Sequence, residues 1–197
     1  MLVNKKFILA STSKSRHQIL SSVGLNFRRV PPQCDEETLK QKLIKEKKTP
    51  QKIVFELAKL KALSVSALYS KEIIVGSDTI VEYKGKLLGK AKTLKEAKKK
   101  ILYLSGKKHN IFTSVYVCFD RINMWSSTKK TKVTIRKLNK REIDSYVLIA
   151  GKEILSAVGC FQIEKYGPLI IEDIEGDFFN VMGFPLFSFL KFLNKQK

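Results

Sequence analysis

Histidine, cysteine and arginine are scarce in this chain, and each scarcity removes a class of function. Only His17 and His109 occur. Neither lies in a zinc-ligand spacing, in an H-x-E…P-C-x-x-C deaminase pattern, or beside the Ser and Asp partners of a hydrolytic triad. The cysteines are Cys34, Cys118 and Cys160, an odd and widely spaced set without a C-x-x-C pair. They read as reduced, mostly buried thiols of a cytosolic protein. Neither a G-x-x-x-x-G-K-[ST] loop nor a G-x-G-x-x-G fingerprint is present, and no kinase signature occurs. Long apolar runs are also missing. Phe7-Ile8-Leu9-Ala10 is too short for a signal-peptide core. The uncharged stretch from Phe178 to Leu190 falls short of the ~20 residues of a membrane helix and carries Gly183 and Pro185. The sequence therefore reads as soluble and cytoplasmic, with no membrane partner. No repeat and no Pro/Gly/Ser-rich linker divides it, so residues 1–197 are expected to form one domain, split at most into two lobes.

What is abundant is lysine. Lys and Arg total 38 against 18 Asp and Glu, a net charge of +20, which points to an anionic partner such as nucleic acid or phosphates. Arginine is confined to Arg16, Arg28, Arg29, Arg121, Arg136 and Arg141, whereas a reader of DNA bases relies on the arginine fork. The excess is taken as a solubilising surface, and nucleic acid as the lesser reading. A basic nucleic-acid-binding protein without catalysis stays as the rival, recognisable by strongly salt-dependent affinity. At 44% hydrophobic residues the chain can fill a core.

Strand and helix alternate. Lys6 to Ala10 reads as a buried strand. A helix opens at Ser11-Thr12-Ser13 and runs to about Val23, where Gly24 stops it. Asn26 to Val30 reads as a second strand, and Glu36 to Lys48 as a charged helix or loop. Gln51 to Tyr69 has the clearest helical periodicity, through Val54, Leu57, Ala58, Ala62 and Val65. Ile73 to Val81 is a β-rich run followed by a turn over Glu82 to Lys86. Thr93 caps a helix to Leu104, with Glu96 in the capping-box position. Asn110–Asp120 and Asn123–Leu138 read as a long strand pair, and Lys140–Ile149 as a helix. Short strands are expected around Ser156–Ile163 and Leu169–Ile174, then a C-terminal helix after Pro185. The class is α/β, with a mixed, curved sheet.

Several residues in this frame carry chemistry. Ser11, Ser13 and Arg16, between a strand and a helix, suit either an anion pocket or plain N-capping. Asp78 interrupts the apolar IIVGSDTIV run, where an unpaired carboxylate is costly; such a group can hold Mg²⁺ or take a proton from water. Asp35-Glu36-Glu37 offers a second carboxylate. Lys59, Lys61 and Lys90 are individually unremarkable, and His109 reads as a hydrogen-bonded structural residue. Together these groups suggest phosphoryl chemistry on a small anion.

Six segments in order make a more specific pattern. They are Leu9-Ala10-Ser11-Thr12-Ser13 with Arg16; Leu57-Ala58-Lys59-Leu60-Lys61-Ala62; Val75-Gly76-Ser77-Asp78-Thr79-Ile80-Val81; Leu88-Gly89-Lys90; Leu104-Ser105-Gly106-Lys107 with His109; and Glu175 through Leu186. As a set they resemble the Maf family of nucleoside triphosphate pyrophosphatases. The resemblance implies a two-lobed α/β fold like that of inosine triphosphatase (Maf/Ham1-like), with flanking helices and a deep central cleft. It implies hydrolysis of a nucleoside triphosphate to the monophosphate and pyrophosphate with a divalent cation, Mg²⁺ or Mn²⁺. Clearing of modified nucleotides fits that reaction, and a homodimer is compatible with the family. Carried over by position, Asp78 is the proton acceptor and a metal ligand, and Glu36 the second metal ligand. Lys61 and Lys90 face the triphosphate, and Ser11, Ser13 and Arg16 bind phosphate. Three positions go with base choice. The dTTP/UTP branch has Arg, Thr and Gln there, and the 7-methyl-GTP branch Trp, Gln and Glu. Here they are Ser15, Thr79 and Glu164, a mixture that leaves the base open. Ala91 follows Lys90 where the family usually has Pro.

Overall fold

The computed structural model describes residues 6–195. Seven strands form one open, mixed sheet in the order β2-β1-β3-β5-β6-β7, with β4 paired to β3. The strands are β1 (Phe7–Ala10), β2 (Phe27–Arg29), β3 (Ile73–Tyr83), β4 (Lys86–Leu88), β5 (Lys108–Phe119), β6 (Ile122–Ile135) and β7 (Ile171–Glu175). The helices are α1 (Lys14–Ser22), α2 (Glu36–Lys45), α3 (Pro50–Ser66), α4 (Leu94–Leu104), α5 (Lys140–Ala150), α6 (Phe178–Met182) and α7 (Leu186–Lys195). The α/β class with a mixed sheet is thus as the sequence implied. The chain divides into two compact units, residues 6–79, 112–129 and 183–195 in the first, and 80–111 and 130–182 in the second.

In the first unit β1 lies parallel to both β2 and β3, pairing Leu9 with Arg29 on one side and with Val75 on the other. A strand flanked on both sides is buried, and all four residues of β1 are. Helix α3 covers it through Ala58, Ala62 and Val65, which join Ile8, Ala10, Ile74, Tyr116 and Cys118 in one core. The small residues at 58 and 62 allow a close approach. A Cβ at Gly76 would stand 2.3 Å from the Ala58 carbonyl oxygen and 2.7 Å from the Ala62 nitrogen. Elsewhere in this unit Phe189 of α7 is fully buried against Phe7 and Phe184.

The second unit packs α4 and α5 over Val81, Ile111, Val133 and Ile135. Thr93 caps α4, and Asn139 with Glu142 forms a reciprocal capping box on α5. The turn expected over Glu82 to Lys86 is tighter than the sequence suggested. Tyr83 pairs with Lys86, so β3 and β4 make a hairpin with only Lys84 and Gly85 in its loop. Both have positive φ, 49° and 77°, as a two-residue turn of this twist requires.

Other boundaries also differ. Glu36–Lys45 is a helix, because Asp35 accepts a hydrogen bond from the Thr38 amide at 2.9 Å and so caps it. No strand forms around Ser156–Ile163. Gly151–Ser156 is a 3₁₀ turn, Cys160 has φ +58°, and the amides of Ala157 and Cys160, with those of Lys165 and Gly167 just beyond, donate to carbonyls three to five residues back. Those donors are spent locally and cannot serve a ladder. The last strand begins at Ile171, after a 3₁₀ turn at Gly167–Leu169 that holds Pro168. Among the described residues no helix is long and apolar enough to cross a membrane.

His109, in the second unit, is 1% exposed and packs edge-on against Phe161. It is a structural histidine, but neither ring nitrogen meets a partner in hydrogen-bonding geometry. Burial pushes its pKa down to about 4, against weaker opposite pulls from the Lys107 backbone and the Glu82 carboxylate. A depressed folded-state value means that protons favour the unfolded chain, where histidine titrates near its ordinary 6.5. The contribution of neutral His109 is complete above pH ~6.5 and is lost as the pH falls toward about 4, an effect on the order of 3 kcal/mol. Thermal melts of wild type and His109→Phe across that window should therefore diverge, the wild type losing more stability toward acid. Parallel curves would show that His109 does not set this slope.

Candidate active site

Helix α3 begins at Thr49, whose side chain accepts from the Lys52 amide, with Pro50 at its first position. Its buried face runs Ile53, Val54, Leu57, Ala58, Lys61, Ala62 and Val65. Lys61 thus stands in the apolar register, four residues from both Leu57 and Val65, with 7% of its surface exposed. Its Nζ lies 2.6 Å from Asp78 Oδ1 on β3 and 2.9 Å from Glu36 Oε2 on α2. One ammonium therefore joins two carboxylates from separate elements. Asp78 is itself 8% exposed, and burial weakens water's screening of such a pair.

The acidic triplet separates into three tasks. Asp35 caps α2, and the Thr38 contacts hold its carboxyl below the ordinary range. Glu37 accepts from Gln41 and is likewise lowered, mainly by that contact and by Lys40. Glu36 alone reaches Lys61. Among the described residues no three His, Cys, Asp or Glu side chains converge as a metal cage.

The second cluster surrounds Arg16, which is buried on α1. Its Nε donates to the Gly183 carbonyl at 2.8 Å, one terminal nitrogen to Ser11 Oγ at 3.2 Å, and the other to Thr79 Oγ1 at 3.1 Å. Burial lowers its pKa, while Asp78 and Glu36 favour its charged form. Ser13 Oγ accepts from the Arg16 amide and caps α1, as the simpler reading of this motif required. Ser11 Oγ also accepts from the Ser13 amide at 3.2 Å. Thr79 shares a further hydrogen bond with Thr113 at 3.0 Å, and Ser77 donates to the Gly183 carbonyl at 3.2 Å. Gly183 has φ +101°, and a Cβ there would meet Thr79 Oγ1 at 3.1 Å.

The structure thus gathers Ser11, Ser13, Arg16, Glu36, Lys61, Asp78 and Thr79 in the first unit, with Ser15 half-buried on α1. Lys90 and Glu164 belong to the second unit. Lys90 is exposed between β4 and α4, followed by a buried Ala91, and Glu164 is half-buried before the 3₁₀ turn at Gly167. Thr113 was not anticipated, and Ser77 and Gly183, though within two of the six segments, carried no expected role. Thr113 is marked in the sequence only by its polarity inside an apolar strand. Cys34 adjoins this charged group, and burial with the nearby Glu36 raises its thiol pKa.

Comparison with known proteins extends this picture. Residues 6–196 match the family model described as Maf-like protein. A protein of Caulobacter vibrioides named nucleoside triphosphate pyrophosphatase is 35% identical, over 94% of this chain and 92% of its own length. One of the same name from Hyphomonas neptunium is 34% identical over 96% and 95%. A protein of Bartonella quintana named 7-methyl-GTP pyrophosphatase is 33% identical over 93% and 91%. With the match running nearly from end to end, this chain belongs to the Maf-like protein family.

Proposed function

We propose that the protein hydrolyses a nucleoside triphosphate to the monophosphate and pyrophosphate, aided by a divalent cation, Mg²⁺ or Mn²⁺. The observation that carries this reading is the Asp78–Lys61–Glu36 group, two hard carboxylates and an ammonium drawn from β3, α3 and α2, with Asp78 and Lys61 buried and Glu36 half-exposed. The names of the relatives from Caulobacter vibrioides and Hyphomonas neptunium support the reaction class. The donor set fits such a cation. Mg²⁺ typically takes one or two carboxylates and completes its shell with water and substrate phosphates, so a full protein cage is not required. Asp78 and Glu36 are the residues that would hold it.

When bound, the cation polarises the phosphoryl oxygens and offsets the charge that develops on them. Asp78 is the general base in this mechanism. Its Oδ1 is the oxygen that Lys61 contacts in the substrate-free site, so Oδ2 is the oxygen that would take the proton of a water attacking the α-phosphorus. Lys61 meets the negative charge of the departing pyrophosphate, and preorganised cations act most strongly in a site with little water. Arg16 acts mainly by position. Three of its donors already bind Ser11, Thr79 and Gly183, so it fixes the loop after β1 against β3 while adding positive charge. The free thiols suit a reducing, cytoplasmic setting.

The test is product analysis over a panel of nucleoside triphosphates that includes dTTP, UTP and 7-methyl-GTP, with Mg²⁺ and then with EDTA. Equal amounts of monophosphate and pyrophosphate, abolished by EDTA, are expected, and the rank order reports the preferred base. Orthophosphate release, or activity indifferent to EDTA, would overturn the reading.

A further inference from the structure

We propose that the Lys61 ammonium is the resident counter-ion of the Asp78–Glu36 pair, holding the cation's place until a triphosphate draws it away. The inference rests on the pyrophosphatase reading and concerns how its metal is admitted. Two carboxylates directed at one point repel unless a cation lies between them. Here the cation is Nζ of Lys61, at 2.6 Å and 2.9 Å from the two oxygens, the range of charge-assisted hydrogen bonds. Its stem lies along the apolar face of α3, with Lys61 only 7% exposed. A divalent ion taking the same two oxygens would stand within a few ångströms of this ammonium, and at that distance like charges repel, most strongly at the buried Asp78 end, since the Glu36 side chain is half-exposed. The ammonium must leave, and leaving Lys61 buried without an anion is costly.

A triphosphate removes that cost by giving the displaced ammonium a new partner. Metal and nucleotide therefore reinforce each other's binding, and neither binds well alone. Once the phosphates depart, Lys61 would return to the two carboxylates and weaken their hold on a cation. Lys61 is thus a positioning residue for the metal as well as a contact for substrate.

The test is Mn²⁺ binding to nucleotide-free protein, followed by electron paramagnetic resonance of the free ion, with folding checked by circular dichroism. Lys61→Met should lower the Mn²⁺ dissociation constant at least tenfold, because the competitor is gone. Lys61→Arg keeps the charge and adds a fork that can hold both carboxylates, so it should raise the constant several-fold. If Lys61→Met does not fold, Lys61→Arg decides. Equal or weaker binding by Lys61→Met, or tighter binding by Lys61→Arg, overturns the proposal. Pyrophosphate release with unchanged Mn²⁺ affinities would sink the counter-ion role alone. Tightened Mn²⁺ binding without any pyrophosphate release would sink the reaction and leave that role standing.

Discussion

An Asp78→Asn variant should lose on the order of 10²- to 10⁴-fold in kcat for pyrophosphate release, the usual range for removing a positioned general base. The amide has the shape of the carboxylate and can still accept from Lys61 at its oxygen, so the geometry of β3 should persist. Its charge and its capacity to take a proton disappear. Removing one partner of a buried pair commonly costs about 3–5 kcal/mol, because the other charge is orphaned. Lys61 is not orphaned here, since Glu36 remains at 2.9 Å, so the loss of stability should stay below that range. Kinetics and a thermal melt on the same preparation separate the two effects. Turnover near the wild-type rate would remove Asp78 from the chemistry, and collapse of the fold would recast it as a structural ion-pair residue.

The largest effect on stability should come from Gly76→Ala. The position does not need glycine for its backbone angles, since Gly76 is not among the residues of positive φ. It needs glycine for space. The added methyl would lie 2.3 Å from the Ala58 oxygen, 2.7 Å from the Ala62 nitrogen and 2.8 Å from the Ala62 Cβ. Two of these atoms are backbone and cannot rotate away, so β3 and α3 must separate. Overpacking of a core typically costs about 1–3 kcal/mol and occasionally more, and a clash against helix backbone belongs at or beyond the upper end. Separation would also draw Asp78, two residues on, from Lys61, so activity should fall with stability. Gly89→Ala is the control. Nothing lies within 4 Å of its Cβ and its φ is not positive, so it should be neutral or stabilising by up to about 1 kcal/mol. Similar melting temperatures for the two variants would show that α3 can yield.

Periodicity made α3 legible to within one residue at its start and three at its end, because its apolar face repeats over four turns and the core it covers demands that repeat. The same pattern placed Lys61 among apolar positions, a mismatch that in retrospect marks a buried charge. The segment from Ser156 to Ile163 deceived for the opposite reason. Cys160, Phe161 and Ile163 are buried, but a strand also needs partners for its amides, and those of Ala157 and Cys160 are consumed within turns.

The site divides along the same line. Asp78 stood out because a carboxylate in an apolar strand is anomalous, whereas the three adjacent carboxylates at 35–37 are equivalent by their chemistry, and only the family resemblance singled out Glu36. Only the capping bond from Thr38 to Asp35 shows how α2 starts, and Glu36 contacts Lys61 in the folded unit. The link from Arg16 to Gly183 spans 167 positions; no local signal could announce it. Thr79, expected as a specificity residue, has its hydroxyl engaged by Arg16 and Thr113.

That long link has a consequence for how the protein is made. The first unit uses residues 6–79 and 112–129, yet it is closed by 183–195, the last of the described chain to leave the ribosome. Until then Phe7 lacks Phe189, and Arg16 and Ser77 lack the Gly183 carbonyl. The nascent first unit must therefore wait with part of its core and its Arg16 cluster open while the second unit, complete by residue 182, already has all of its chain. Synthesis from the N-terminus imposes a reversed order of completion, in which the segment translated first is among the last to be sealed.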